Sequence, residues 1–322
     1  MKVIVVGAGA IGGWIAGALS GAGAQVALLA RGAALNAVRA DGLIVRNGSA
    51  ARVHRIAASN DVASLPMPDA VIVTVKTYDF AAAATQISPA LKPGTAVVTA
   101  MNGLPWWFLD GLKGPLDGAS LDSIDPGGSA AIHLKQARRV AAVVHGSTRV
   151  AAPGAIEIGK LDRLILGEPD GGASDATQEL ARLIEASGCP APVSAVIRTE
   201  IWSKLWGNAS VNPISALTRM SSGQIMGDDL VADVTRDMME EFKTIGAALG
   251  VPLEASVDDR MDVARKLGDF RTSMLNDVEA GKRLEVDELL GVVVELADRL
   301  GVDAPTSRLV YALARGLARR MA

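Results

Sequence analysis

The chain has 322 residues, 49% of them hydrophobic, and a formal net charge of −3 at pH 7. This length favours two domains with a sizeable core. No apolar run reaches the roughly 20 residues of a membrane span. The net charge argues against nucleic acid as the main partner. Because Cys189 is the single cysteine, an internal disulfide is excluded. The three histidines lack metal-ligand spacing, which argues against a structural metal.

The chain begins with a predicted βαβ unit. A strand at Val3 to Val6 leads into a glycine-rich turn, a helix rich in small residues runs to about Ala22, and a second strand covers Gln25 to Leu29. The turn has the GxGxxG spacing of a dinucleotide-binding loop, in which the glycines admit a tight turn and a close approach of a pyrophosphate. Its residues are Gly7, Ala8, Gly9, Ala10, Ile11 and Gly12. Because glycines appear this early instead of a signal-peptide apolar region, we expect a soluble, cytoplasmic protein.

The end of the second predicted strand bears on the choice of cofactor. NAD sites usually place Asp or Glu there for the ribose 2′-hydroxyl, whereas this chain reads Leu29-Ala30-Arg31-Gly32. A guanidinium pairs bidentately with a phosphate, so Arg31 favours NADPH. The alternative is an exposed loop arginine with no role in binding.

Two later strands also end in polar residues. The apolar run from Asp69 to Val75 leads into Lys76, and the run from Ala96 to Met101 leads into Asn102. Ligands of parallel sheets lie beyond the carboxyl ends of the strands, so both residues are candidate contacts for cofactor or substrate. A solvated loop lysine and a turn asparagine before Gly103 are the alternatives.

Between Pro105 and Ile197 the sequence pattern predicts a less regular structure. The stretch from Pro105 to Gln136 has the pattern of a long extended loop. Strand periodicity returns in three short runs, which we interpret as an antiparallel part of the same sheet, and an amphipathic helix follows before the domain closes near Ile197. The runs are 140–144, 155–158 and 164–166, and the helix is 175–186.

From about Thr199 the chain predicts helices only. Periodic segments cover 224–249, 285–300 and 306–321, with glycine or proline at their boundaries. The apolar run from Leu289 to Val294 predicts that its helix crosses the middle of a bundle.

One helix carries a polar stripe. Lys204, Asn208 and Asn212 lie four residues apart and therefore share a face, while Trp202 and Trp206 point the opposite way. This pattern indicates the wall of a polar cleft. A half-buried helix whose lysine reaches out to water is the alternative.

The ordered set GAGAIG, VKTYD, NG, WSKLxxNxxxN, SML-D and ExD resembles the ketopantoate reductase family, the NADPH-dependent 2-dehydropantoate 2-reductases. The resemblance implies an α/β plus all-α fold: a Rossmann-type NADP-binding domain at 1–197, a helical substrate and catalytic domain at 198–322, and an active site in the cleft between them. It implies reduction of ketopantoate to (R)-pantoate in pantothenate biosynthesis.

The resemblance also implies roles for individual residues. Lys204 becomes the general acid and Glu285 assists it and contacts the substrate hydroxyl. Ser273, Asn102, Asn208 and Asn212 orient the 2-oxo acid, and Arg31, Lys76, Asn102 and Glu285 fall among the cofactor contacts. A glutamate that merely favours a helix N-terminus is the alternative for Glu285.

The proton-donor role also follows from the chemistry of hydride transfer. Transfer to a ketone builds negative charge on oxygen, which an ammonium can stabilise and protonate. Burial would lower the pKa of Lys204 and the Glu285 carboxylate would raise it.

Two alternative functions remain open at this point. Trp106, Trp107 and Phe270 depart from better-known members and suggest a bulkier 2-oxo acid and a D-2-hydroxyacid dehydrogenase activity. A non-catalytic NADPH-binding sensor would keep the fold, although it needs no proton donor. Apolar helices make a homodimer plausible.

Overall fold

A nine-stranded sheet organises the first of two units in the computed structural model, which describes residues 1–321. This unit contains Met1–Met101 and Gly128–Ile197. Its strands are β1 (Lys2–Val6), β2 (Gln25–Leu29), β3 (Leu43–Asn47), β4 (Ala50–His54), β5 (Ala57–Ser59), β6 (Ala70–Val73), β7 (Ala96–Thr99), β8 (Arg138–Ala152) and β9 (Ala155–Gly167). Its helices are α1 (Ala10–Gly21), α2 (Gly32–Asp41), α3 (Phe80–Ile87), α4 (Ser129–His133) and α5 (Asp175–Ala186).

The middle of this sheet is parallel. The strand order is β4-β3-β9-β8-β7-β6-β1-β2-β5, and every pair from β8 to β5 runs parallel. Because β1, β6 and β7 are buried on both faces apart from Lys2, their apolar runs need no polar alternation. The Rossmann-type prediction for the N-terminal region is confirmed.

Small residues allow α1 to lie directly on the sheet. A Cβ at Gly13 would overlap the Ile156 side chain of β9, and a Cβ at Gly17 would lie 2.6 Å from Val45 of β3. Gly13 and Gly17 therefore allow α1 to pack closely on the strands, because any larger residue would push the helix and the sheet apart.

The antiparallel part of the sheet is longer than predicted. The three short runs at 140–144, 155–158 and 164–166 belong to two long strands, β8 and β9, which pair as an antiparallel hairpin with register shifts, one of them between His145 and Gly146. The second half of β8 and the middle of β9 are more exposed, so the apolar pattern does not reveal the full length of either strand. The short strands β3, β4 and β5 are not evident from the sequence pattern.

The second unit is helical and contains Asn102–Gly127 and the chain from Arg198 onward. Its helices are α6 (Ile197–Thr218), α7 (Ser222–Gly227), α8 (Asp229–Leu249), α9 (Val257–Lys266), α10 (Ser273–Glu279), α11 (Val292–Leu300) and α12 (Pro305–Met321). Across residues 1–321, none of them combines the length and apolar character that crossing a membrane requires.

Two helix predictions need correction. The segment 224–249 is divided at Asp228, whose carboxylate accepts hydrogen bonds from the backbone N–H groups of Leu230 and Val231 at 3.1 Å and so begins a new helix. The segment 285–300 does not begin as an α-helix, because Asp287–Gly291 forms a π-helical turn ahead of α11. Its run Leu289 to Val294 is buried, as predicted.

The segment 102–127 belongs to the second unit, whereas the sequence prediction included it in the domain 1–197. Although it has few regular elements, it is well packed: Trp107 and Phe108 are fully buried. Arg198 lies 5.7 Å from the centroid of the Trp107 ring and donates a 3.0 Å hydrogen bond to the Phe108 carbonyl. Aromatic burial and this arginine, rather than backbone periodicity, determine where the segment packs.

Two tryptophans attach α6 to α8. Trp202 stacks on Phe242 with a centroid separation of 4.1 Å, and Trp206 donates a hydrogen bond of 3.1 Å to the Met239 carbonyl. Both side chains are almost completely buried. The tryptophan face of α6 packs on α8, on the side away from the polar stripe as predicted, and this contact fixes the rotation of the helix about its axis.

We expect Gly246→Ala to lower the melting temperature because a Cβ at this position of α8 would overlap Nε1 of Trp202 and lie 3.0 Å from the Val251 carbonyl. Overpacking of this kind costs roughly 1–3 kcal/mol. Gly316→Ala in α12 is the matched control: within residues 1–321 nothing lies within 4 Å of its Cβ, so a slight gain is expected. Equal melting temperatures for the two variants, measured by calorimetry, would contradict the packing argument.

Candidate functional site

The glycine loop between β1 and α1 has the geometry of an anion-binding turn. Gly7 has φ +102°, which favours glycine, and its N–H donates a 3.0 Å hydrogen bond to the Leu29 carbonyl. A Cβ at Gly12 would overlap the Gly7 carbonyl, whereas a Cβ at Gly9 would have no described atom within 4 Å. The loop is therefore closed on its inner side at Gly12 and open at Gly9.

Thr74 supports this loop and was not identified from the sequence. Its hydroxyl lies within hydrogen-bond distance of two carbonyls, Val6 at 2.8 Å and Gly7 at 3.2 Å. The sequence feature that could have identified it is a threonine directly after the buried strand β6. We interpret Thr74 as a residue that positions the glycine turn.

The start of α1 completes the fit to a dinucleotide. The helix begins at Ala10, and its first bond of the α-helical type runs from the Gly13 N–H to the Gly9 carbonyl, so the preceding N–H groups remain available at the helix N-terminus. No acidic residue occupies the first turn. An exposed backbone at Gly9 next to a helix N-terminus suits a pyrophosphate.

Arg31 lies at the carboxyl end of β2, immediately before α2, and its side chain is 86% exposed. It forms a 3.0 Å ion pair with Asp79, which belongs to a short turn after β6. A carboxylate is thus present beside this strand end, contrary to the sequence prediction, because the parallel sheet brings a distant segment there. Such an exposed pair contributes at most about 1 kcal/mol, so it does not prevent Arg31 from meeting a phosphate.

Lys76 and Asn102 follow two neighbouring parallel strands, β6 and β7. Since β6 also pairs with β1, the half-buried Lys76 follows the same edge of the sheet as the glycine loop. Asn102 belongs to the second unit, which begins at this residue.

The polar stripe of α6 has the predicted arrangement. Lys204 and Asn208 are half-buried and Asn212 is 6% exposed, while the two tryptophans occupy the other side of the helix. Burying three polar side chains on one face of a helix costs free energy unless they have hydrogen-bond partners or ligands.

The ammonium of Lys204 is strongly influenced by its surroundings. Removal from water lowers its pKa to about 8, and the opposite charge of Glu285 partly counteracts this by raising the pKa. The two opposing causes are those predicted from the sequence. A lysine whose pKa lies this close to neutrality is suited to proton transfer.

Glu285 and Ser273 lie in different surroundings. Glu285 is 5% exposed and directly precedes the helical turn that leads into the π-turn. Ser273 is exposed and is the first residue of α10, where the N-cap role belongs to Thr272 instead. The Ser273 hydroxyl is thus not used for capping its helix.

Glu288 is a second buried carboxyl that sequence reasoning missed. It is 5% exposed, it lies in the π-turn, and Arg283 approaches it at 3.8 Å. Burial raises its pKa to about 7; a backbone hydrogen bond opposes this, the charges of Glu285 and Asp287 raise the pKa further, and Arg283 has a smaller lowering effect. The π-turn departs from the 3.6-residue period, so helical periodicity does not predict that Glu288 is buried.

The predicted aromatic wall needs correction. Trp107 is fully buried, where it packs against Arg198, so it is not available to contact a substrate. Phe270 is 44% exposed. Trp106 is half-buried, so Phe270 and the accessible part of Trp106 remain as the aromatic surface that could influence the choice of substrate.

Comparison with known proteins covers almost the whole chain. The family described as "Ketopantoate reductase PanE/ApbA" matches residues 3–105, and "Ketopantoate reductase PanE/ApbA C terminal" matches residues 196–318. The 2-dehydropantoate 2-reductase of Mesorhizobium japonicum is 40% identical, over 99% of this chain and 98% of its own length.

Solved structures of similar proteins share the fold over almost the whole chain. The PanE/ApbA family ketopantoate reductase of Ralstonia eutropha JMP134 is 29% identical with a TM-score of 0.84, and covers 100% of this chain and 99% of its own. A D-mandelate dehydrogenase with NADH and anilino(oxo)acetate has a TM-score of 0.83 over 100% and 99% of the two chains. At 17% identity it shares the fold alone.

We expect Glu285→Gln to lower the pKa of Lys204 below about 8, because the substitution removes the charge that opposes desolvation. The pKa is measured by NMR titration of ¹³C-methylated lysines, with the Lys204 resonance assigned by its loss in Lys204→Arg. Glu240→Gln, an exposed carboxylate on α8, serves as the control and should leave the resonance unchanged. An unchanged or higher Lys204 pKa in Glu285→Gln would show that the two groups are not coupled.

Proposed function

Since the chain belongs to the ketopantoate reductase family of NAD(P)H-dependent oxidoreductases, we propose that it reduces 2-dehydropantoate to (R)-pantoate with NADPH, in pantothenate biosynthesis. The observation that carries the proposal is the half-buried Lys204, whose pKa is lowered to about 8 and which shares a helix face with Asn208 and Asn212. The reduction uses a proton donor near neutral pH, and this lysine has the required properties. A non-catalytic binding protein would have no use for them.

The proposed mechanism assigns proton transfer to Lys204. NADPH, when bound, supplies the hydride that the substrate carbonyl carbon receives. The ammonium donates a hydrogen bond to the 2-oxo oxygen, stabilises the negative charge that develops there, and transfers its proton to that oxygen. The product is a 2-hydroxy acid, and Lys204 is left as a neutral amine that regains a proton from water.

Neighbouring residues keep the lysine effective and hold the substrate. Glu285 raises the pKa of Lys204 against the effect of burial and so increases the protonated fraction at neutral pH. In the proposal, Glu285 also accepts a hydrogen bond from the substrate hydroxyl, and Asn208, Asn212, Ser273 and Asn102 orient the acid. Carboxamides and a hydroxyl can both donate and accept, which suits a substrate whose carbonyl becomes a hydroxyl.

The cofactor proposal rests on the first unit. The open backbone at Gly9 and the N-terminus of α1 receive the pyrophosphate, while Arg31 pairs with the 2′-phosphate and Lys76 contacts the nicotinamide half. Asp79 opposes part of this selection, because its carboxylate pairs with Arg31 and repels a phosphate. We therefore infer a preference for NADPH that Arg31 creates and Asp79 limits.

A bulkier 2-oxo acid is the second candidate substrate. Phe270 lies three residues before Ser273 and is 44% exposed, so an aromatic surface is available on the segment that carries a proposed substrate contact. Rates of NADPH oxidation with ketopantoate and with aromatic and aliphatic 2-oxo acids distinguish the two candidates. A higher kcat/KM for an aromatic acid would favour the second candidate substrate.

We also propose that the protein is a homodimer. Gel filtration with light scattering tests this proposal.

Lys204→Ala should reduce kcat by roughly 10²- to 10⁴-fold, the usual contribution of a general acid, with little change in NADPH affinity. In the wild type, kcat for reduction should fall as pH rises through about 8, because the active form of Lys204 is protonated. Stopped-flow and steady-state NADPH oxidation at 340 nm measure both effects. Lys266→Ala, an exposed lysine on α9, is the control. Near-normal turnover in Lys204→Ala would remove this residue from the mechanism.

Wild-type protein should bind NADPH at least about tenfold more tightly than NADH, and Arg31→Ala should abolish most of that difference, since a bidentate phosphate contact is lost. Asp79→Asn should raise NADPH affinity by up to about fivefold and leave NADH affinity nearly constant, the scale of an exposed charge contact. Fluorescence titration gives all dissociation constants, with Arg46→Ala as the control. Equal wild-type affinities for the two cofactors would overturn the assignment.

A further inference from the structure

Tyr311 of α12 contacts both ends of the π-turn Asp287–Gly291. Its hydroxyl donates a 2.6 Å hydrogen bond to the carboxylate of Asp287, the first residue of the turn. At the last residue, Gly291, a Cβ would lie 2.8 Å from the Tyr311 hydroxyl oxygen and 2.9 Å from its ring carbon Cε2. Glycine at position 291 therefore lets the tyrosine lie directly against the backbone of the turn, because a larger residue would displace the ring.

Arg315 supports this arrangement from one turn further along α12. Its Nε atom lies 3.4 Å from the Asp287 carboxylate, and its guanidinium carbon lies 5.4 Å from the centroid of the Tyr311 ring. Burial, and then the hydrogen bond to Asp287, raises the pKa of Tyr311 to about 12, so the hydroxyl remains a donor at neutral pH. Two side chains of α12 thus hold the first residue of the π-turn.

The backbone of the π-turn contains one residue more than a regular helical turn. The Val292 N–H donates a hydrogen bond to the Asp287 carbonyl, five residues back, whereas an α-helical bond spans four. Such turns are rare in proteins and are frequent at functional sites. A side chain that contacts the first and the last residue of this turn resists its conversion into a regular helix.

The π-turn begins two residues after Glu285, the proposed partner of Lys204. Glu285 acts on Lys204 as the opposite charge that raises its pKa against desolvation. Because a Coulomb interaction weakens with distance, any displacement of the turn that moved Glu285 away from Lys204 would weaken this effect.

We propose that Tyr311 is a positioning residue for the proton donor: by holding both ends of the π-turn, it fixes where Glu285 lies relative to Lys204. The inference rests on the proposed function, in which Lys204 protonates the 2-oxo oxygen and Glu285 assists it. Tyr311 itself contacts neither substrate nor cofactor in this proposal. Three further charged residues near the turn stay in place in all variants described below: Arg283, Glu288 and Arg315.

The test measures the pKa of Lys204 in the full chain by NMR titration of ¹³C-methylated lysines. Tyr311→Phe keeps the ring against Gly291 and loses the hydrogen bond to Asp287, whereas Tyr311→Leu loses both contacts. We expect the Lys204 pKa to fall in both variants, and further in Tyr311→Leu, because a displaced Glu285 opposes desolvation less. The pKa should not fall below its value in Glu285→Gln, where the charge is absent.

A second background separates an effect through Glu285 from a general loss of structure. Introduced into Glu285→Gln, Tyr311→Phe should leave the Lys204 pKa unchanged, because the charge through which it acts is already absent. Arg308→Met is the matched control, since it removes an exposed ion pair between α12 and Asp298 of α11 and should leave the Lys204 pKa and turnover unchanged. Circular dichroism confirms that each variant is folded.

Turnover provides an independent readout. In Tyr311→Phe, kcat for ketopantoate reduction should fall roughly threefold to tenfold at about pH 9, the scale of one net hydrogen bond, and less than about twofold at about pH 6.5. The difference arises because Lys204 is protonated in both proteins at the lower pH. A general loss of folded enzyme would lower kcat equally at both pH values.

The outcomes separate the two claims. A Lys204 pKa that changes in neither Tyr311 variant, or that falls equally with and without Glu285, overturns the positioning role. A fall that requires Glu285 supports it. Because the titration needs no substrate, it gives this result even for a wild type that reduces no 2-oxo acid, an outcome that overturns the proposed function alone.

Discussion

The desolvation of one lysine is the constraint on which the second unit depends. An ammonium on a largely buried helix is unfavourable, and its pKa falls to about 8 as a result. The helix that carries it is stabilised from its opposite face, where Trp202 stacks on Phe242 and Trp206 donates to the Met239 carbonyl. Apolar and aromatic packing thus offsets the cost of a polar face, and it fixes the direction in which that face points.

The charges near this lysine differ in how they are compensated. Glu285 raises the pKa of Lys204, and Arg283 lies 3.8 Å from a second buried carboxyl, Glu288. Two buried carboxyls, Glu285 and Glu288, are thus present in the unit that contains the desolvated ammonium.

Sequence patterns predicted the features that depend on local spacing. The glycine loop, the parallel strands and the stripe of Lys204, Asn208 and Asn212 all follow from periodicities within one element. Side-chain contacts between segments that are distant in the sequence could not be predicted from such periodicities. Asp79 reaches Arg31 only because β6 and β2 share a sheet, and Arg260 reaches Gly207 only because α9 packs beside α6. Trp107 was misjudged because burial, not sequence position, determines what it contacts.

The π-turn at Asp287–Gly291 shows how backbone geometry can adjust the same electrostatics. It brings Glu288 into the interior three residues after Glu285, and two carboxylates there would repel each other. The pKa of Glu288 rises to about 7, so below neutral pH its carboxyl is mainly uncharged and the repulsion is relieved. Protonation of Glu288 therefore leaves Glu285 as the negative charge that supports Lys204.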